Sequence, residues 1–123
     1  MAKPFVIQIH SGFGPLHYDF MLACGKALAT WHLSRSPAEI GVSEPIAARK
    51  LADHRLEYLA YEGPVSRGRG EVKIFDKGTY ELASMEENSW RVCLRGRLLQ
   101  GRCELSQLPA GGDKWTFVWL EKA

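Results

Sequence analysis

Residues 5–22 read FVIQIHSGFGPLHYDFML, and the fold class follows from this stretch. Apolar and polar side chains alternate over residues 5–10 and again over residues 16–23, which is the period of half-buried β-strands. The intervening residues 11–15 are rich in glycine and end in proline, so they predict a turn. The stretch therefore predicts two antiparallel strands joined as a hairpin.

Short strand-like segments recur along the rest of the chain. They cover residues 27–33, 70–75, 79–82, 90–94, 98–105 and 114–120. The Asp-Lys-Gly at residues 76–78 predicts the turn of a hairpin. Residues 34–48 contain prolines and glycine and predict irregular structure, whereas residues 49–61 are the one stretch that predicts a helical turn or two. Many short strands with frequent turns predict a mainly β fold, a small antiparallel β-barrel with one or two short helical segments.

The composition is that of an ordinary globular domain. The chain has 123 residues, of which 46% are hydrophobic and 24% charged, and it predicts a single domain over residues 1–123. A formal net charge of +2 excludes a polybasic tail but not a local phosphate site. No apolar stretch approaches the roughly 20 residues of a membrane span. With three cysteines, no CxxC pair and no signal peptide, we expect a reduced, cytoplasmic, monomeric protein that binds no membrane.

Three side chains of the first hairpin have the chemistry of metal ligands. His17 and Asp19 are two residues apart in a predicted strand, so both point to the same face. The hairpin brings His10, at the end of the preceding strand, across from them. Two imidazoles and a carboxylate suit a divalent metal with open positions for water and substrate. The alternative is that all three are polar residues on a solvent-exposed sheet face.

A second pair of residues, His54 and Tyr58, is four positions apart, which in a helical turn places both on one face. An imidazole beside a phenol can donate hydrogen bonds to phosphate oxygens or protonate a leaving oxygen. A surface histidine next to a packed tyrosine is the alternative.

Basic residues are concentrated late in the chain. Residues 91–102 contain four arginines and no acidic residue. Arg95 and Arg97 from this segment, with Arg67 and Arg69 from a glycine-flanked loop, are weak candidates for contacts with nucleic acid. A solvated strand face is the alternative. The chain contains no P-loop or Rossmann fingerprint, which excludes those nucleotide-binding classes.

The order of these motifs resembles the 3′-phosphoesterase domain of bacterial DNA ligase D. That family has Gln-x-His at the end of a strand, a short turn and then Leu-His-Tyr-Asp-Phe, and these motifs stand here within residues 8–20. Its second block, Asp-His-x-Leu-x-Tyr-Leu-x-x-Glu-Gly, stands at residues 53–63. Further similarity at residues 75–80 and 94–101 extends the resemblance over nearly the whole chain.

The resemblance implies a small β-barrel enzyme that acts at DNA or RNA 3′ ends, such as those of a primer–template. Members remove a 3′-terminal ribonucleotide or a 3′-phosphate, leave a 3′-hydroxyl for a ligase, and depend on a divalent metal, typically Mn²⁺. The matching positions imply that His10, His17 and Asp19 hold the metal. They also imply that His54 and Tyr58 engage the scissile phosphate.

The resemblance suggests roles for three further polar residues. Arg35 stands where the family has a lysine, and we expect it to contact the phosphate, with a different geometry. Gln8 and Glu62 are expected to orient the side chains that touch metal and phosphate. Ordinary strand and loop polar residues are the alternative for these two.

Two departures from the family pattern remove arginines. The family has an arginine two residues after the metal-binding aspartate, where this chain has Met21, and another eight residues before the second-block histidine, where it has Ile46. Each lost charge-assisted contact can reduce the rate by about 10- to 100-fold. Arg49, Arg67 or Arg69 could supply the missing charge.

The sequence thus predicts a Mn²⁺-dependent phosphoesterase that trims 3′ ends for repair by non-homologous end joining, with a ligase or polymerase acting in trans. Other divalent cations are alternatives to Mn²⁺. The few cations near the predicted metal site favour a diester over a dianionic monoester. One alternative is a catalytically degenerate module that binds nucleic-acid ends, which Met21 and Ile46 favour. Another is a metal-dependent hydrolase of an unrelated phosphodiester.

Overall fold

The structure is a computed structural model, and it describes residues 2–123. Within this part of the chain the strands are β1 (Lys3–Ser11), β2 (His17–Cys24), β3 (Ala27–Leu33), β4 (Ile46–Arg55), β5 (Gly63–Pro64), β6 (Glu71–Glu86), β7 (Ser89–Gly96), β8 (Gln100–Gln107) and β9 (Lys114–Lys122). One 3₁₀ turn, Leu56–Leu59, follows β4. None of the described residues belongs to a helix long and apolar enough to cross a membrane.

The strands form one antiparallel sheet in the order β1-β2-β3-β4-β9-β8-β7-β6-β5. Because β1 also pairs with β6, the eight longer strands close into a ring, and the two-residue β5 lies beside it. Closing the sheet pairs the backbone groups that an open sheet would expose at its edges. The prediction of a mainly β, small barrel-like fold is confirmed.

The interior of the ring is filled by large apolar side chains. Every long strand contributes to this core, whose largest members are Phe5, Phe20, Trp31, Tyr80, Trp115, Phe117 and Trp119. Trp31 makes edge-to-face contacts with Trp90 and Trp115, an arrangement that aromatic rings favour. The alternation of the first hairpin therefore directs one of its two faces into this core.

A second apolar cluster covers part of the outer face of the first strands. Val6, Met21 and Leu28 are fully buried there against Tyr58 and Leu59 of the 3₁₀ turn. Both faces of β1 and β2 are thus buried over part of their length. We call residues 56–62, which follow β4, the covering segment. Its Tyr58 lines the cleft described below.

The structure corrects the prediction of helical turns over residues 49–61. Residues up to Arg55 belong to β4, and only Leu56–Leu59 is helical. The physical reason is tertiary, because β4 pairs with β3 on one side and with β9 on the other, and these ladders override local preference. His54 therefore lies on a strand.

The hairpin turn predicted at residues 76–78 is also wrong, because β6 runs without interruption from Glu71 to Glu86. Asp76 is fully buried, and its carboxylate accepts hydrogen bonds from the backbone N–H groups of the β7–β8 turn, at Arg97, Leu98 and Leu99. Gly78 allows β6 to approach β7, since a Cβ there would overlap the Arg95 carbonyl oxygen. The residues that favour a turn in the sequence are used here for contacts within a strand.

The three cysteines are free thiols, as the absence of CxxC spacing predicts. Cys103 lies in the core, and burial raises the pKa of its thiol far above the usual range. It therefore acts as a small apolar core residue.

Candidate metal centre and adjoining cleft

The three predicted metal ligands meet on the outer face of the first hairpin. His10 is directly opposite His17 in the β1–β2 ladder, and Asp19 lies two residues along the same face. One ligand atom from each of these residues lies within 4.8 Å of the others. The pairing register of the hairpin therefore assembles a His-His-Asp cluster.

Backbone carbonyls determine which nitrogen of each imidazole faces this cluster. His10 Nε2 lies 2.6 Å from the Arg69 carbonyl oxygen, and His17 Nδ1 lies 3.2 Å from that of Pro15. A carbonyl oxygen only accepts, so these two nitrogens carry the protons. The other nitrogens present lone pairs towards Asp19, at 3.5 Å for His10 Nδ1 and 3.2 Å for His17 Nε2.

Asp19 has an unsatisfied oxygen at the centre of the cluster. The residue is buried, and among residues 2–123 its Oδ1 meets only His17 Nε2, at 3.2 Å, which in the neutral ring offers a lone pair and no proton. A buried anionic oxygen without a partner is costly. A divalent cation would satisfy it together with the two imidazole lone pairs, and this donor set suits such ions with positions left for water and substrate. The residues present therefore fit a metal ion.

The electrostatics of His17 also favour a cation at this point. Burial alone would lower the pKa of His17, but the Asp19 carboxylate and the Pro15 carbonyl outweigh burial, so the pKa is raised. The field that stabilises a proton on the ring is the field that would stabilise a metal ion beside it.

A fourth histidine, His32, packs on the cluster and was not predicted from the sequence. Its ring stacks on that of His17, with centroids 3.9 Å apart and planes 9° from parallel. Burial and the neighbouring His17 lower the pKa of His32, so its ring stays neutral. The signal that locates it is the β2–β3 register, in which His32 is opposite Asp19.

A row of polar side chains crosses the outer face of the first four strands. Gln8, Asp19, His32 and Arg49 stand opposite one another in successive ladders. Directly opposite residues point to the same face. The row therefore brings the Arg49 guanidinium close to the cluster, and its charge opposes protonation of His17.

A cleft of about 360 Å³ opens beside the cluster. Two of the three predicted metal ligands line it together with both residues of the second predicted pair and two arginines, and its polar lining comprises Gln8, His10, Asp19, Arg49, His54, Tyr58 and Arg69. The fold thus joins two motifs that are more than thirty residues apart in the sequence.

A β-bulge directs His54 into this cleft. Leu28 pairs with His54 whereas Thr30 pairs with Leu51, so β4 holds one extra residue at this point. In a regular strand Arg49 and His54, an odd number apart, would point to opposite faces. The extra residue places both in the cleft.

The backbone also orients the His54 ring. His54 Nδ1 lies 3.0 Å from the Ala52 carbonyl oxygen, so this nitrogen carries a proton. Nε2 is then the nitrogen that remains for a ligand in the cleft.

Gln8 holds Tyr58 in place beside His54. The buried Gln8 amide donates to the carbonyl oxygens of Tyr58 at 3.0 Å and of Tyr61 at 2.9 Å. The rings of His54 and Tyr58 make an edge-to-face contact with centroids 5.7 Å apart. Glu62 lies further along the same segment, where its Oε2 accepts from the Ile74 backbone N–H at 2.8 Å. Gln8 and Glu62 thus both anchor the covering segment, and Gln8 also lines the cleft.

Arg35 lies apart from the other predicted catalytic residues. It belongs to the loop between β3 and β4, where its guanidinium is 3.2 Å from the Glu44 carboxylate in an exposed ion pair. It does not line the cleft, so the structure does not bring Arg35 to His54 and Tyr58. Ion pairs of this exposed kind contribute little to stability.

The four weak nucleic-acid candidates separate into two groups. Arg69 lines the cleft, and its guanidinium donates to Ser66. Arg67 lies in the same exposed loop with a positive φ of 63°. Arg95 lies on β7, and Arg97 lies in the turn after it, outside the cleft.

The positions where the family pattern has arginines are buried in this chain. Ile46 points into the core of the ring, and Met21 is covered by the outer apolar cluster. The cations that line the cleft are instead Arg49 and Arg69. The positive charge at this site therefore comes from other positions of the chain.

Comparison with known proteins identifies the class to which this fold and site belong. The DNA ligase D 3′-phosphoesterase domain family matches residues 8–107, and the chain belongs to that family. The resemblance found in the sequence is thus confirmed.

The chain is also similar to multifunctional repair proteins from mycobacteria. It is 34% identical over 122 residues to the multifunctional non-homologous end joining DNA repair protein LigD of Mycobacterium tuberculosis, covering 93% of the chain and 15% of that relative. The multifunctional non-homologous end joining protein LigD of Mycolicibacterium smegmatis is 34% identical over 125 residues, covering 90% of the chain and 16% of the relative. The chain therefore spans less than a fifth of the length of these relatives.

Proposed function

We propose that the chain is a metal-dependent phosphoesterase that trims the 3′ ends of DNA or RNA during repair by non-homologous end joining. The observation that carries this proposal is the shared cleft. His10 and Asp19, two members of the His-His-Asp cluster, line the cavity that Arg49 and His54 also line. Family membership and the end-joining relatives support an end-processing role.

We assign the metal, with Mn²⁺ as first candidate, to His10 Nδ1, His17 Nε2 and the Asp19 carboxylate. When bound, such a cation polarises a phosphate oxygen and activates a water molecule for attack. The Pro15 and Arg69 carbonyls keep both rings in the tautomer that ligation requires.

The side chains of the cleft provide for the phosphate. Arg49 and Arg69 supply two guanidinium groups, which bind phosphate oxygens with good geometry. The Tyr58 hydroxyl adds a hydrogen bond to a developing negative charge.

His54 has the geometry of a general acid. Its Nδ1 is engaged by the Ala52 carbonyl, so a protonated ring presents its second N–H at Nε2. Water attacks phosphorus and loses a proton to the solvent, the bond from phosphorus to the 3′ oxygen of the remaining strand breaks, and that oxygen takes the proton from Nε2 while the phosphate departs with the excised group. The product end carries a 3′-hydroxyl, which a ligase or polymerase acting in trans can use.

The test replaces Asp19 by an uncharged residue of the same shape. We expect Asp19→Asn to fold normally but to lose at least about 100-fold of the Mn²⁺-dependent release of a 3′-terminal ribonucleotide from a primer–template, because it removes the anionic ligand. Asp113→Asn, at an exposed position outside the cleft, is the matched control and should keep wild-type activity. Full activity of Asp19→Asn would contradict the metal assignment.

A catalytically degenerate end-binding module is the second candidate. The burial of Met21 and Ile46, where the family pattern has arginines, favours it. The same assay separates the two candidates, since a binding module would retain primer–template affinity with no turnover at any Mn²⁺ concentration.

A further inference from the structure

We propose that Phe13 is a stacking platform for the terminal nucleobase of a 3′ end whose phosphate occupies the cleft. This inference rests on the proposed function and adds to it a site for the base.

Phe13 is an exposed aromatic residue at the edge of the cleft, where a ligand could pack on its ring. Its side chain is 55% exposed, although it is one of the larger apolar side chains of the chain. It lines the same cleft as the His-His-Asp cluster, together with Val65 and Val72. The cleft is therefore lined by apolar as well as charged side chains.

The backbone holds Phe13 out from the turn between β1 and β2. Gly12 and Gly14 on either side of it have positive φ values of 82° and 70°, a conformation that glycine adopts without strain. The Phe13 ring therefore stands between two residues that have no side chains to cover it.

The start of this turn, at Ser11 and Gly12, packs against the loop that contains Arg69 and Gly70. A Cβ at Gly12 would lie 3.3 Å from Gly70 Cα, and a Cβ at Gly70 would overlap the Ser11 carbonyl oxygen. The residue before Gly70 is Arg69, whose carbonyl accepts from His10. Phe13 and the metal ligand His10 thus share one backbone support.

The two kinds of side chain that line the cleft, charged and apolar, match the two parts of a nucleotide. A phosphate is recognised by the metal ligands and arginines, whereas a base offers a flat π-face that stacks on aromatic side chains. The volume of about 360 Å³ lies in the range of small-ligand sites, roughly 300–1,000 Å³. Stacking tolerates any base, so the site is expected to recognise the presence of a terminal base and not its identity.

The test compares two oligonucleotide ends in EDTA, where binding proceeds without turnover. One primer–template carries a normal 3′-terminal ribonucleotide, and the other carries a terminal sugar without a base. We expect the wild-type protein to bind the first end about 10-fold more tightly, in line with the stacking of one base. Phe13→Ala should reduce this ratio to about one, and Phe13→Trp should preserve it.

The matched control is Leu16→Ala. Leu16 is 53% exposed and lies just after the same turn but does not line the cleft, so its replacement should leave the ratio unchanged. A second readout uses 5-iodouridine at the 3′ terminus, whose photo-crosslink should map to Phe13 by peptide mass spectrometry.

A wild-type protein that ignores the missing base, or a Phe13→Ala variant that keeps the preference, would overturn the stacking site. Retained Mn²⁺-dependent turnover in that case would leave the proposed function standing. An absence of both end binding and turnover in the wild-type protein would instead contradict the proposed function itself.

Discussion

His17 donates a hydrogen bond to the Pro15 carbonyl oxygen, and His10 donates one to that of Arg69. The second nitrogen of each ring therefore directs its lone pair towards Asp19. At the scale of the residue, this arrangement gives two histidines and an aspartate the geometry of a group that could hold a metal ion. The stacked ring of His32 adds a further constraint, because it packs face to face against the ring of His17.

This stacking leads to a prediction about metal affinity. Replacing His32 by Ala removes the ring that fixes His17, and we expect Mn²⁺ affinity to fall by about 2- to 10-fold, the range of an aromatic pair. His32→Phe keeps a ring at the same place and should retain most of the affinity. Isothermal titration with Mn²⁺ on both variants measures this, and equal affinity of His32→Ala and wild type would rule out a positioning role.

At the scale of the element, an irregularity in a strand places a candidate catalytic side chain. The extra residue in β4 directs His54 into the cleft beside Arg49. A second irregularity, between Ile7 and Gln8 of β1, lies opposite β6 near Asp76. Bulges of this kind re-aim side chains without ending the ladder.

The buried carboxylate of Asp76 leads to a prediction about the stability of the fold. This carboxylate accepts hydrogen bonds from the backbone N–H groups of Arg97, Leu98 and Leu99. Asp76→Asn replaces one of the two accepting oxygens by an NH₂ group, which then faces a backbone N–H donor. We expect the free energy of unfolding to fall by about 2–4 kcal/mol, because buried donors lose their acceptor. Urea denaturation measures it, with the exposed Asp113→Asn expected to change by less than about 0.5 kcal/mol. A wild-type midpoint for Asp76→Asn would show that the carboxylate is not needed.

At the scale of the whole molecule, closure of the ring joins distant segments through its core. The Tyr80 hydroxyl, on β6, donates to the Ala23 carbonyl oxygen, on β2. Burial is the main cause that raises the pKa of Tyr80 to about 12. The neutral phenol therefore stabilises the folded ring.

This shift predicts the alkaline stability of the protein. The unfolded phenol titrates near pH 10, so the contribution of neutral Tyr80 is complete below that pH. It is lost as the pH rises from about 10 to 12, since the folded state then resists an ionisation that the unfolded state permits. Urea denaturation across this range should show a decline that is smaller in Tyr80→Phe, and identical pH profiles would contradict this account.

Local patterns in the sequence were sufficient for much of the fold. Alternation identified the first hairpin, and β3 spans Ala27–Leu33 as predicted. The two-residue spacing of His17 and Asp19 placed both on one face, because side-chain direction in a strand depends only on neighbouring residues. The helical interpretation of residues 49–61 is confirmed only for Leu56–Leu59 and is wrong up to Arg55, since those residues pair their backbone groups with β3 and β9, and such pairing depends on distant strands.

The sequence by itself determined the mainly β class, the family, and the residues of the His-His-Asp cluster. Only the tertiary structure decided which cations reach the cleft, namely Arg49 and Arg69 and not Arg35. It also decided the burial of Asp76 within a strand and the stacking of His32 on His17. The physical reason is that these placements depend on register, bulges and ring closure, which join residues far apart in the chain.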